Sequence, residues 1–139
     1  LASADNTDGE ALKNSKTMYH KLRTESSNDI DFFSNASYPE LNIREEEWPI
    51  ATINPNHKEY IISYVNTVQS EQKLYVASAA SFFDSRIQWK SLVGIEDSVI
   101  QVEFKDHYLY AVTTKGKASN YKLIKIENKV KNLKFRTEI

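Results

Sequence analysis

Residues 100–139 read IQVEFKDHYLYAVTTKGKASNYKLIKIENKVKNLKFRTEI, four apolar segments separated by polar turns. Residues 100–104 alternate apolar and polar side chains, as a half-exposed strand does. Tyr108–Thr113 is apolar on both faces, which is typical of a strand buried on both sides. Residues 121–126 and 133–139 supply two further strand patterns. The stretch therefore predicts a four-stranded antiparallel sheet with Tyr108–Thr113 as a central strand.

The same four-segment order occurs once before in the chain. An apolar segment at residues 50–53 ends in a turn at 54–58, and a two-faced apolar run at 60–65 follows. The third and fourth segments are residues 74–77 and 87–93. Tyr60 lies 48 residues before Tyr108, so the two copies keep one spacing. Residues 18–22 and 29–33 resemble the outer two strands of a third copy.

Four strands per unit at a period of about 40–50 residues are typical of β-propeller blades. We therefore predict an all-β protein of antiparallel four-stranded sheets, forming about two and a half blades. The half blade covers residues 1–47, and the two blades cover 48–93 and 94–139. An ordinary β-sandwich or meander with coincidental spacing is the alternative.

The length of the chain bears on this prediction. At this period, 139 residues are too few for even a four-bladed closed propeller. The chain also begins at Leu1, and we expect it to be a segment of a larger polypeptide. A partial propeller leaves blade faces uncovered, and we expect a homo-oligomer to form through them. The apolar residues assigned to those faces are Phe32, Leu109, Tyr110 and Leu123.

Composition excludes several classes of protein. The chain has no cysteine, which excludes disulfides, thiolate zinc sites and cysteine nucleophiles. No stretch approaches the roughly 20 apolar residues of a membrane-spanning helix. Residues 115–139 carry 8 basic and 2 acidic side chains, but the lysines alternate with apolar residues as on a solvated strand face. We predict neither a nucleic-acid partner nor a membrane partner.

A search for catalytic chemistry finds no candidate. His57 and His107 fall in predicted turns, where a solvated imidazole is the usual explanation, and His20 falls on a predicted strand, where packing is. The acidic run at residues 45–47 is interpreted as solvent-facing. No metal-binding spacing, phosphate loop or Gly-x-Ser-x-Gly motif occurs. We predict no catalytic residue, no metal ligand and no cofactor, and binding residues stay unassigned.

Several of these segments together resemble a known family. Residues 19–24, Tyr-His-Lys-Leu-Arg-Thr, followed by Asp-Ile-Asp-Phe-Phe at 29–33, resemble a blade segment of the prolyl oligopeptidase family of serine peptidases. That family has an aromatic-x-His-x-Leu-Gly-Thr stretch followed by an Asp and a hydrophobic strand. Residues 54–58 look like its Pro-Asp-Gly-Lys turn, and residues 120–126 are similar to its Asn-Tyr-Arg-Leu strand. Residues 85–90 and 108–114 are similar to later strands.

The resemblance implies a function for the protein from which the chain comes. In this family a seven-bladed propeller caps an α/β-hydrolase domain, whose Ser attacks the peptide bond with the help of a His and an Asp. The propeller restricts access, so that short peptides are cleaved. This chain matches blades only, and the resemblance implies gating without catalysis. The expected partners are the hydrolase domain, the other blades and a short peptide substrate.

The sequence departs from the family pattern at three places. Arg23 and His57 stand where the family has Gly, and residues 65–68 lack the Arg that can reach the substrate in the family. The related oligopeptidase B group has similar motifs, so prolyl specificity stays open. The compartment stays open between cytoplasm and periplasm. A non-catalytic propeller that serves as an interaction module and a small β-barrel that binds a ligand are the alternatives.

Overall fold

The computed structural model describes residues 12–53, 58–105, 108–116, 120–127 and 136–138. These residues form ten strands in three antiparallel sheets, joined by turns and short 3-10 helices. No helix in this part of the chain has the length and apolar character needed to cross a membrane.

The strands follow one another along the chain and pair with their sequence neighbours. Sheet A contains β1 (Thr17–Tyr19) and β2 (Ile30–Phe33). Sheet B contains β3 (Trp48–Ile53), β4 (Tyr60–Asn66), β5 (Lys73–Ser78) and β6 (Lys90–Val93), in that order. Sheet C repeats the order with β7 (Val99–Lys105), β8 (Tyr108–Thr113), β9 (Lys122–Glu127) and β10 (Arg136–Glu138).

Sheet B lies between the other two sheets, and a hydrophobic core covers each of its faces. Ile62, Leu74 and Val76 of sheet B share one core with Leu109 and Ala111 of sheet C. The second core lies on the opposite face. Its buried members are Ile61, Val65, Tyr75 and Ala77 of sheet B, together with Phe33, Tyr38, Ile43 and Ile87. Because successive side chains of a strand point to opposite faces, a two-faced apolar strand fits this middle position.

The predicted all-β class and the central strands are confirmed. The run at residues 60–65 lies in β4, and Tyr108–Thr113 is β8; each strand has a hydrogen-bonded neighbour on both sides. The four-stranded sheets are open among the described residues, so these strands form no closed barrel.

Three structural predictions need correction. Only the last four of residues 87–93 form a strand, because Ile87 and Trp89 turn into the core beside sheet A instead of joining the ladder. The strand predicted at residues 18–22 is Thr17–Tyr19 and ends before His20. Leu109 was assigned to an uncovered face, but it is fully buried between sheets B and C.

Of the other three residues assigned to uncovered faces, two lie on the outer face of sheet C and one lies in sheet A. Leu123 is 41% exposed, and Tyr110 is half-buried on the face of sheet C that points away from sheet B. Phe32 is half-buried and packs against Phe82 and Trp89.

Candidate functional site

One of the three histidines, His20, lies among the described residues. His20 was predicted to be a packing residue, but it is exposed, and its Nδ1 lies 2.6 Å from Asp29 Oδ1. His57 and His107 lie outside the described residues. No group of three or more histidine, aspartate or glutamate side chains suited to a metal ion occurs among the residues described.

A buried carboxylate lies in the turn that leads into β3. Glu47 is fully buried, and its Oε2 accepts hydrogen bonds from the Arg44 backbone N–H at 2.9 Å and from Lys73 Nζ at 2.7 Å. Its Oε1 accepts from the Arg44 guanidinium, with both N–O distances 3.3 Å. These donors offset the cost of burying the charge. The prediction that residues 45–47 face solvent is therefore wrong for Glu47, although Glu45 and Glu46 are exposed.

The turn that leads into β7 repeats this arrangement. Asp97 is buried, and its Oδ2 accepts from the Gly94 backbone N–H at 3.0 Å, while Lys115 Nζ lies 3.3 Å from Oδ1. Each turn is also closed by a backbone bond of 3.1 Å, from Glu47 N–H to the Arg44 carbonyl in one and from Asp97 N–H to the Gly94 carbonyl in the other. The entries to sheets B and C are thus built alike, although the two turns have different sequences.

Sequence reasoning missed these two carboxylates. In both turns an acidic residue follows, by three positions, the residue whose backbone N–H it binds, and an apolar strand begins one or two residues later. That is the spacing of a capping box, which was the available signal. The two lysines carry no comparable signal, because Lys73 is 26 residues from Glu47 in sequence.

Aromatic rings fill the seam between sheet A and sheet B. The Phe33 ring centroid lies 4.7 Å from that of Trp89 and 5.9 Å from that of Tyr38. The Arg86 guanidinium lies 5.1 Å from the Tyr38 ring centroid, and its Nη2 lies 2.6 Å from Glu40 Oε1. The pKa of Glu40 is lowered, first by a hydrogen bond from its own backbone N–H and also by Arg86. A charged pair on the surface thus covers one end of an aromatic seam.

An apolar concavity lies beside this seam. It is a cleft of about 310 Å³ between β1 and β3. Its floor and rim are mostly hydrophobic, formed by Thr17, Met18, Tyr19, Phe32, Ala51, Thr52, Ile53, Ile61 and Phe82. Met18 is 41% exposed and Ile53 is 43% exposed. We call this feature the β1–β3 cleft.

The outer face of sheet C is the second uncovered surface. Lys125 Nζ lies 3.5 Å from the Tyr108 ring centroid, and Tyr110 and Leu123 extend the same face. The arrangement is a cation–π contact on a partly apolar sheet face.

Tyr64 lies on the face of sheet B that packs against sheet C. It packs against the core shared by the two sheets. Burial raises the pKa of Tyr64, and the negative charge of Glu103 raises it further.

Comparison with protein-family models, with curated proteins and with solved structures finds no match to this chain.

Proposed function

We propose that the chain is part of a β-propeller, with residues 1–47 as the outer half of one blade and residues 48–93 and 94–139 as two blades. The observation that carries the proposal is the repeated unit. Sheets B and C have the same strand order, stack through one core, and begin at turns with equivalent buried carboxylates.

An irregularity in pairing supports the assignment of sheet A as half a blade. In β5–β6, Leu74 pairs with Val93 and the next residue pairs with Ser91, so the register shifts by one residue. In β1–β2, Thr17 pairs with Phe33 and the next residue pairs with Asp31, which is the same shift at the same place. Such bulges are specific features rather than random defects. The shared shift supports taking β1 and β2 as the counterparts of β5 and β6.

We further propose that the parent protein is a serine peptidase similar to prolyl oligopeptidase, in which this chain helps to gate the active site. Arg23 supports the proposal, because it stands where the family motif has Gly and its φ is 72°. Only Gly adopts that left-handed conformation without a steric cost. The departure from the family motif thus lies at a position whose backbone suits the family residue.

The proposed mechanism assigns shielding to this chain and chemistry to another domain. The Ser, His and Asp would come from the α/β-hydrolase domain, with the Ser attacking the peptide carbonyl and the His transferring its proton. The seam between sheets B and C would have to stay closed to keep folded proteins out. Leu109 lies fully buried in that seam and is one of the residues that hold it together.

The first experiment uses the full-length protein. A fluorophosphonate probe should label one serine outside residues 1–139, and short fluorogenic peptides with proline before the scissile bond should be hydrolysed. The 139-residue chain by itself should give no turnover. A full-length protein without a reactive serine would overturn the peptidase proposal and favour the non-catalytic interaction module.

A second experiment tests gating. Leu109→Ala should loosen the seam, since such a buried truncation costs about 2–5 kcal/mol. The ratio of cleavage of a long peptide to cleavage of a short one should then rise in the full-length protein. Leu22→Ala is the matched control, because Leu22 is 83% exposed. An unchanged ratio, in a variant that the probe still labels fully, would contradict the gating role.

A further inference from the structure

We propose that the β1–β3 cleft is a strand-addition site. Its occupant is an extended strand of the same protein, from outside residues 1–139, which pairs with the edge of β1 opposite β2 and covers the exposed side chains of Met18 and Ile53. The inference rests on the proposed assignment of β1 and β2 as the outer half of a blade.

The pairing edge follows from the repeated bulge. β1 is the counterpart of β5, and β5 has two partners, β6 on one side and β4 on the other. Within the described residues β1 pairs with β2 alone. Among the strands that the structure describes, none uses the edge of β1 that corresponds to the edge β5 uses for β4, and such an edge is a template for an added strand.

Two residues that line the cleft have equivalents in sheet C, and those equivalents are covered by sheet B. Ala51 and Ile53 pair with Ser63 and Ile61, as Val102 and Phe104 of sheet C pair with Ala111 and Leu109. Val102 and Phe104 are partly buried against the core that sheet C shares with sheet B. Of the equivalent side chains of sheet B, Ala51 is half-buried against the second core, whereas Ile53 is 43% exposed; both line the cleft. The cleft therefore lies where a neighbouring sheet would supply cover.

The other strand at the cleft is β3, and backbone groups at its start already have hydrogen-bond partners. The Thr17 hydroxyl accepts a hydrogen bond from the Ala51 backbone N–H at 3.0 Å and donates to the Pro49 carbonyl at 3.1 Å. Pro49 itself has no N–H, as suits an edge strand. A strand entering the cleft consequently has β1 as its pairing edge, and β3 contributes apolar contacts.

The chemistry of the occupant follows from what sheet B offers to sheet C. There β4 presents Tyr60, Ile62 and Tyr64, an aromatic–aliphatic–aromatic alternation, to the shared core. Residues 2–10 of this chain contain no apolar side chain larger than alanine, so their sequence lacks this alternation. The occupant is therefore an alternating aromatic and aliphatic strand from the rest of the protein.

The test measures binding of a fluorescein-labelled peptide with the sequence of residues 58–66, KEYIISYVN, to the 139-residue chain by fluorescence anisotropy. We expect saturable binding that Ile53→Lys weakens by about tenfold or more, because an isoleucine contact is lost and a charge is introduced. Ile50→Lys is the matched control: Ile50 is 50% exposed on the same strand but does not line the cleft. A peptide N-methylated at alternate amides should not bind, because it cannot complete the backbone ladder.

The outcomes separate the alternatives. Equal binding of the N-methylated peptide would show that the cleft binds peptides through apolar contacts alone, which would overturn strand addition. Equal losses in both lysine variants, or no binding to a monomeric chain, would overturn the site. If the chain sediments as a dimer that Ile53→Lys dissociates, the occupant is a second copy and the assigned source is wrong. These results do not depend on the fluorophosphonate labelling, so the cleft and the peptidase proposal fail independently.

Discussion

Replacing Glu47 with Gln tests the buried ion pair that joins the first turn to β5. The Lys73 side chain is only 14% exposed and lies 2.7 Å from the Glu47 carboxylate. Removing one charge of a buried pair leaves the other uncompensated and typically costs about 3–5 kcal/mol. The glutamine oxygen still accepts one hydrogen bond, so we expect a loss of about 3 kcal/mol in the free energy of unfolding.

Urea unfolding followed by fluorescence of Trp48 and Trp89 measures this loss. With a slope of about 2 kcal/mol per molar urea, the midpoint should fall by about 1.5 M. Glu46→Gln is the control, because Glu46 pairs with Arg44 at 3.2 Å on the surface. Such exposed pairs contribute about 0–1 kcal/mol, and the midpoint should hardly move.

A double-mutant cycle identifies the partner. Lys73→Met in the Glu47→Gln background removes the uncompensated charge, so the double variant should be less destabilised than the sum of the single variants, by more than about 1 kcal/mol. Additive effects, or a Glu47→Gln loss below about 0.5 kcal/mol, would refute the argument that a buried pair holds this turn.

Three further predictions concern the backbone, the pH dependence and the association of the chain. Arg23→Gly should raise the midpoint of thermal unfolding slightly, because a φ of 72° strains any residue with a β-carbon; a lowered midpoint would contradict the strain. The raised pKa of Tyr64 means that the folded state favours the neutral phenol, so its contribution to stability is full below the unfolded pKa of about 10 and is lost as pH rises through the folded value. Urea midpoints from pH 8 to pH 11 should show that decline, and Glu103→Gln, which removes the second cause of the shift, should make it smaller. The 139-residue chain should self-associate through the outer face of sheet C. The double substitution Tyr110→Lys and Leu123→Lys should shift it towards monomer in sedimentation velocity. If the unsubstituted 139-residue chain is strictly monomeric at high micromolar concentration, this prediction is wrong.

The order and type of the strands were predictable from local pattern. Alternation identified the edge-like segments, and the two-faced apolar runs identified β4 and β8 as interior strands, because side chains in a strand alternate between faces. The match between the two copies also predicted two sheets of four strands. These properties depend on residues that are close together in sequence, so a single sequence was enough to infer them.

The burial of particular side chains was decided by contacts between distant residues. Three glutamates in a row look alike, yet only Glu47 is buried, because Lys73 meets it from β5. Alternation places Leu109 on one face of its strand but does not say which face another sheet covers. Ile87 leaves the ladder because the seam beside Phe33 and Tyr38 offers it more apolar contact than a sheet edge does. The β1–β3 cleft has the same origin: its floor comes from strands that are far apart in sequence, and only their packing brings Ile53 and Met18 to one surface.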